Sequence, residues 1–337
     1  MNASQPELLS VVIPAHNEAV GITHSVDFIA NALESCGMQL EIIVVDDGSR
    51  DETFERIRNL SRKDPRVKGL RFTRNFGKEA ALLAGLRVAR GDAVVTIDSD
   101  LQHPPALIPR MLDEWRKGAM VVDAVKRSRD TDTVFTRARA KVFNSLLSRL
   151  GGINLQHSSD FKLLDRRVVD AIARELPERQ RFYRGLADWV GYRHTALPFD
   201  VEARADGQGK WTFWRLVELA TTATVSFTSA PLRIVTILGM LTLIFGFAVG
   251  TEALIGWFRG RAVSGFTTII TTLLILGSLI MISLGIIGEY IAKIYDEIKA
   301  RPNYLVEGAV GFEDDDMLLS VRTSPGQPVL VERNNDR

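Results

Sequence analysis

Two carboxylates stand two residues apart in Asp98-Ser99-Asp100, directly after the apolar run Ala93-Val94-Val95-Thr96-Ile97. In extended backbone, residues two apart face the same side, so both acids can point into one site. Hard oxygen ligands of this kind suit Mg²⁺ or Mn²⁺, and such an ion would neutralise a substrate pyrophosphate. Asp-rich turns are common and mostly solvated, so the tripeptide alone decides little. Its setting adds weight: Gln102 offers another oxygen, and Leu101-Gln102-His103-Pro104-Pro105 fixes the loop. His103 is either a metal ligand or a residue behind the ligands, since an oxygen site does not require it. A second acidic pair, Asp46-Asp47, also follows an apolar run. It is either a helix-capping turn or an acceptor for a base N–H or a ribose hydroxyl. Arg74-Asn75-Phe76-Gly77-Lys78-Glu79 puts a cation where a helix begins. Glycine there permits close backbone approach, and exposed helix N–H groups favour an anion; the plain alternative is an ordinary capped helix.

The elements that must position these residues alternate in type. Leu9–Pro14 reads as a buried strand, followed by a helix from Asn17-Glu18 to about Leu33. Leu40–Asp46 is a second strand, whose exit turn Asp46-Asp47-Gly48-Ser49 leads to a helix that Ser49 or Asp51 can cap. Val67–Phe72 is a weaker third strand, and a helix from Lys78 to Ala89 precedes the strand Ala93–Ile97. Near-continuous apolar strands separated by helices predict an α/β domain with a parallel sheet covered on both faces. Ligands of such sheets bind at the carboxyl ends of the strands, where Asn17, Asp46, Asp47, Asp98 and Asp100 fall.

The 337 residues suit a catalytic domain plus an appendage, and a net charge of +1 gives no sign of a nucleic-acid partner. The single cysteine, Cys36, rules out an intramolecular disulfide framework and a cysteine zinc site. The first residues lack a signal-peptide pattern, so the N-terminal domain is expected to stay where it is made. Apolar residues concentrate late. Ile234 to Ile255 is about 22 residues with one charge, Glu252, and Phe266 to Ile287 is about 22 with none, enough for two membrane spans. The expected organisation is a domain over 1–209, an interfacial amphipathic helix over 210–230 and spans over 231–258 and 266–288. A second interfacial helix with a strand-like segment follows over 289–312, then a polar tail over 313–337. A core helix is the competing reading for Trp211 to Phe227. Cations on the flanks outnumber Arg259 and Arg261 in the hairpin, which assigns both termini to the cytoplasm.

Taken in order, Val12-Ile13-Pro14-Ala15-His16-Asn17-Glu18, Val45-Asp46-Asp47-Gly48-Ser49, Arg74–Glu79 and Asp98–Pro105 resemble the successive motifs of family 2 inverting glycosyltransferases. The nearest branch is the polyisoprenyl-phosphate glycosyltransferases. The resemblance runs on through Ser159-Asp160-Phe161-Lys162-Leu163-Leu164-Asp165-Arg166, Arg181–Leu186 and the two spans. It implies a GT-A, Rossmann-like, nucleotide-sugar-binding domain, with Pro14, Ala15, Asn17, Glu18, Asp46 and Asp47 lining the nucleoside pocket. Lys78, Asp98 and Ser99 would approach the nucleotide-sugar, and Asp100 and Gln102, with Asp98 beside them, would hold the metal. Asp160 would stand by the acceptor phosphate, as a base or as an orienting group. Arg204 and Lys210 resemble cations that close over the donor pyrophosphate. Where the family usually has Gly-x-Ser-Lys, this chain has Gly207-Gln208-Gly209-Lys210, which removes one hydroxyl contact and loosens the loop. Arg137, Arg139 and Lys141 form a basic cluster that either receives the lipid phosphate or is a solvated face.

The implied activity is inverting transfer of a hexose from a UDP-sugar, UDP-glucose first, to undecaprenyl phosphate in a bacterial inner membrane. The family also suggests a homo-tetramer. Rivals are transfer from GDP-mannose, transfer of an aminosugar, and a silent membrane scaffold that binds a nucleotide-sugar. A processive synthase is disfavoured, because Gln180-Arg181-Phe182-Tyr183-Arg184 does not match the Gln-x-x-Arg-Trp motif of those enzymes.

Overall fold

β-Branched and aliphatic runs build the centre of the sheet. In the computed structural model, which describes residues 7–34, 36–126, 159–176, 183–199, 230–259 and 265–312, Leu8–Ala15 forms β1. Gln39–Asp46 forms β2, parallel to it, with Ala15 opposite Asp46. Val67–Phe72 (β3) and Ala93–Thr96 (β4) flank this pair, also in parallel. All of β1 beyond its first residue is buried, which explains why its sequence is continuously apolar rather than alternating. Its successive side chains serve two cores. Val11 and Ile13 pack with helices α1 (Ile22–Leu33), α2 (Thr53–Lys63) and α4 (Ile108–Arg116). Val12 packs on the other face with α3 (Lys78–Val88) and α5 (Arg166–Asp170). Gly85 lets α3 approach β1 closely, since a Cβ there would lie 2.2 Å from Val12.

The sheet is not all parallel. Its order is β7-β5-β6-β4-β1-β2-β3-β8, where β5 is Val121–Lys126, β6 is Lys162–Asp165, β7 is His194–Phe199 and β8 is Val306–Val310. Strand β6 runs antiparallel to both β4 and β5, and β8 runs antiparallel to β3. The expected parallel sheet therefore holds for β4-β1-β2-β3 and becomes mixed outside it. Helix α6, Tyr183–Trp189, lies between β6 and β7 in sequence.

Two compact units make up the described chain: residues 7–199 with 302–312, and residues 230–301. The first unit is thus assembled from two stretches of chain, and the segment 289–312 divides between units. Tyr304 is 2% exposed and stacks on Phe72 at 4.9 Å, with the Arg87 guanidinium over its ring. In the second unit, Ala230–Phe258 forms α7 and Phe266–Ile298 forms α8. Both are long and apolar enough to cross a membrane, over Leu232–Gly256 and Ile269–Ile298, and neither apolar window is buried within the protein. Helix α8 continues unbroken past residue 288, where a separate interfacial helix was expected. The first interfacial helix and the polar tail lie outside the described residues.

Candidate active site

The carboxyl ends of β1, β2 and β4 carry the polar residues that the motifs single out. At the end of β1, Pro14 and Ala15 are buried and Asn17 adopts a left-handed backbone, φ 56°. The Asn17 N–H donates to Ser49 Oγ at 2.9 Å, and its side-chain oxygen accepts from the Arg50 N–H at 3.0 Å. The Glu18 N–H donates to Thr53 Oγ1 at 2.9 Å. These bonds lash the β1 loop to the β2 loop. Burial, then the charges of Asp100 and Asp51, push the Glu18 carboxyl pKa up, so Glu18 and Asp100 feel one another across the site.

The acidic pair after β2 splits into two roles. Asp46 is fully buried; one carboxylate oxygen accepts from the Ser49 N–H at 3.0 Å, while Oδ2 has no hydrogen-bond partner. Burial raises its pKa, although Ser49 and Arg71 oppose the shift. Arg71 lies 3.8 Å from Asp46 and 3.1 Å from Glu307 on β8. Asp47 turns elsewhere: its two oxygens accept from the Phe76 N–H at 2.7 Å and the Gly77 N–H at 2.9 Å. It therefore anchors the 74–77 loop, and each of its oxygens keeps a second lone pair for a further donor. Gly48 is required for this approach: its φ is 63°, and a Cβ would lie 2.3 Å from the Arg74 carbonyl carbon. A cavity of about 490 Å³ opens here, lined by His16, Asn17, Ser49, Arg71, Arg74 and Glu307 among others. A larger one, about 850 Å³, lies by Leu8, Gln39 and Asp92, at the amino ends of the strands and away from the motif residues.

Four charges meet beyond β4. Lys78, the first residue of α3, reaches Asp98 Oδ1 at 2.6 Å and Asp160 Oδ2 at 2.8 Å. Arg184 on α6 grips Asp160 with two bonds, 2.6 and 2.8 Å. Burial alone would raise the Asp160 pKa, but Arg184 and Lys78 outweigh it and hold the carboxyl well below the usual carboxylate range. The same pairing overcomes burial to raise Lys78 above its ordinary value. The Asp160 carbonyl accepts from Thr96 Oγ1 at 2.6 Å, and that hydroxyl lies 2.9 Å from the Tyr183 hydroxyl. Asp100 is exposed and accepts from the Gln102 N–H at 3.1 Å, across Leu101 at φ 53°. The Ser99 carbonyl accepts from Ser25 Oγ at 2.6 Å, so that residue fixes the loop from inside. His103 is buried between the rings of Phe161 and Phe199, at 5.3 and 5.7 Å.

The described residues thus bring Glu18, Lys78, Asp98, Asp100 and Asp160 to one end of the sheet, with Asp46 and Asp47 beneath a neighbouring loop. No group of three or more His, Cys, Asp or Glu side chains among them could hold a metal ion alone. Two carboxylates completed by phosphate oxygens are a normal Mg²⁺ environment, and Asp98 and Asp100 offer that donor chemistry, with Lys78 on one Asp98 oxygen. Arg137, Arg139, Lys141, Arg204 and Lys210 lie outside the described residues. Arg184 and Glu79 sat within the quoted motifs without an assigned role. Only the pairing of an unassigned arginine with a lone aspartate far upstream could have drawn attention to Arg184.

Residues 10–172 match the glycosyl transferase family 2 domain, and residues 230–294 match the GtrB C-terminal hairpin. A glycosyltransferase of Synechocystis sp. is 40% identical over 90% of this chain and 96% of its own. The SfII prophage-derived bactoprenol glucosyl transferase of Shigella flexneri is 36% identical, over 89% of this chain and 97% of its own. Among solved structures, glucosyl-3-phosphoglycerate synthase of Mycobacterium tuberculosis aligns with a TM-score of 0.47 and 23% identity, covering 65% of this chain and 78% of that one.

Proposed function

This chain belongs to glycosyltransferase family 2, with a GT-A α/β fold and a GtrB-type hairpin, and from that membership we propose that it transfers glucose from UDP-glucose to undecaprenyl phosphate. The observation that carries the reading is the 36% identity, over 89% of this chain, to a protein named bactoprenol glucosyl transferase. In the reaction, a lipid phosphate oxygen attacks the anomeric carbon from the face opposite UDP. A new C1–O bond forms, the C1–O bond to the β-phosphate breaks, and the electron pair leaves with UDP.

The residues divide the work as follows. Pro14, Ala15, Asn17 and Glu18 line the nucleoside side, and Asp46 stands beneath it. Asp98 would face the donor with Lys78, and Asp100 and Gln102 would hold Mg²⁺ or Mn²⁺. Such an ion would supply charge neutralisation for the departing UDP. Lys78, whose pKa Asp160 and Asp98 raise despite burial, brings a protonated amine to the donor side of the site. Arg184 and Lys78 hold the Asp160 carboxyl well below the usual carboxylate range, which supports an orienting role over proton acceptance. The acceptor needs little base help, since a phosphate monoester's second pKa is about 6. Spans α7 and α8 keep the enzyme at the inner membrane, with both termini cytoplasmic, and the chain assembles as a tetramer.

Purified full-length protein, supplied with undecaprenyl phosphate, Mg²⁺ or Mn²⁺ and labelled nucleotide-sugars one at a time, tests this directly. Labelled lipid from UDP-glucose is the expected result. Labelled lipid only from GDP-mannose or an aminosugar donor would overturn the sugar assignment, and none from any donor would overturn the enzyme.

A further inference from the structure

We propose that Glu79 is a positioning residue for the transfer reaction, holding α6 against α3 so that Arg184 and Lys78 converge on Asp160. The proposal rests on the glycosyl-transfer reading above. Glu79 lies in the first turn of α3, and its Oε2 accepts from the Tyr183 N–H, at the first residue of α6, at 2.8 Å. Each helix thus contributes adjacent residues to one clasp. From α3, Lys78 contacts Asp160 and Glu79 contacts the Tyr183 backbone; from α6, Arg184 contacts Asp160.

Tyr183 is the hinge pin of this arrangement. Its side chain is buried, and its hydroxyl lies 2.9 Å from Thr96 Oγ1, which donates to the Asp160 carbonyl. The carboxylate of Glu79 therefore fixes the backbone of the very residue that precedes Arg184. Without it, the first N–H of α6 lacks its side-chain acceptor and the guanidinium loses its fixed origin. The bidentate grip on Asp160 tolerates little displacement, because both of its bonds are at or below 2.8 Å.

The clasp is also built to respond to pH. Burial, more than any neighbour, pushes the Glu79 pKa up to about 7. Asp160 adds to the rise, while Arg184 and Lys78 oppose it, and the Tyr183 phenol stays neutral because burial raises its pKa as well. The ionised carboxylate is the stronger acceptor and the better partner for the two cations. Turnover should then rise as pH climbs through about 7, the value at which Glu79 ionises.

The test compares the full-length enzyme with Glu79→Leu and Glu79→Gln in detergent with the lipid acceptor. Hydrogen–deuterium exchange over residues 183–189 reads the clasp without substrate, and kcat and KM are followed from pH 5.5 to 8.5. Expected for Glu79→Leu are exchange in 183–189 faster by about tenfold, unchanged exchange in β1 and β4, and kcat several-fold lower with donor KM within twofold. Glu79→Gln keeps an acceptor, so it should restore protection and lose the limb near pH 7. Changed exchange with unchanged turnover, or unchanged exchange with Leu, would overturn the role of Glu79. Wild-type enzyme that makes no lipid-linked sugar would overturn the transfer reading itself, which is a separate and recognisable failure.

Discussion

Asp160→Asn separates the two roles open to that residue. Its side chain is 13% exposed, whereas those of Lys78 and Arg184 are 41% and 44% exposed. Removing one partner of a buried ion pair costs ~3–5 kcal/mol. With both cations more than a third in water, screening reduces this to roughly 1–2 kcal/mol of stability. Asparagine keeps one carbonyl for Arg184, so the clasp should loosen without collapsing. Loss of a general base lowers rates by about 10²–10⁴. A carboxylate held far below its usual range by two cations is a poor base at neutral pH, and the acceptor phosphate is already largely ionised. We therefore expect kcat to fall about tenfold or less, with the wild-type pH profile showing no limb from Asp160 above pH 5. Initial rates at saturating donor and acceptor, with thermal unfolding measured in parallel, give both quantities. A loss of 10² or more in an equally stable variant would refute the positioning role and restore Asp160 as the base.

Two further substitutions probe the metal loop and the returning strand. Asp100→Ala should abolish turnover dependent on Mg²⁺ or Mn²⁺ and remove the effect of either ion on UDP affinity in a competition assay; unaltered activity would sink the metal assignment. Tyr304→Ala removes a buried aromatic that stacks on Phe72 and anchors β8, and should cost ~3–5 kcal/mol. That corresponds to a fall of about 10 °C in Tm for a unit of this size, read by thermal unfolding. A fall under about 2 °C would mean that β8 contributes little to the catalytic unit.

What the sequence revealed and what it hid divide along contact range. Asp98, Asp100 and Gln102 belong to one loop, so the β-strand period and the loop's prolines were enough to group them. The continuous apolar runs likewise marked β1, β2 and β4, since a strand buried on both faces must be apolar at every position. The antiparallel partners were not visible by the same logic. Strand β6 is only Lys162–Asp165, and it carries a buried lysine whose charge is met by Asp123 on β5, a pairing that hydropathy reads as a polar interruption. Strand β8 follows α8 after a short connection and includes a glycine, so its sequence suggested a mere appendage to the span.

The same limit explains the roles of Asp47, Arg184 and Glu79. A carboxylate after a strand can bind a ligand or cap a loop, and only the fold shows that the Phe76 and Gly77 N–H groups come within reach of Asp47. Motif order placed Asp160 near the chemistry but could not assign its protonation behaviour, which is set by two cations, one 82 residues upstream and the other 24 residues downstream. Lys78 and Arg184 both approach Asp160 from helix starts, where the chain direction is already fixed by the sheet beneath. Their convergence therefore depends on the bond between Glu79 and the Tyr183 backbone, which spans 104 residues. An inverting transfer to an already ionised phosphate needs charges held in place more than it needs a proton acceptor, and this cluster supplies such charges.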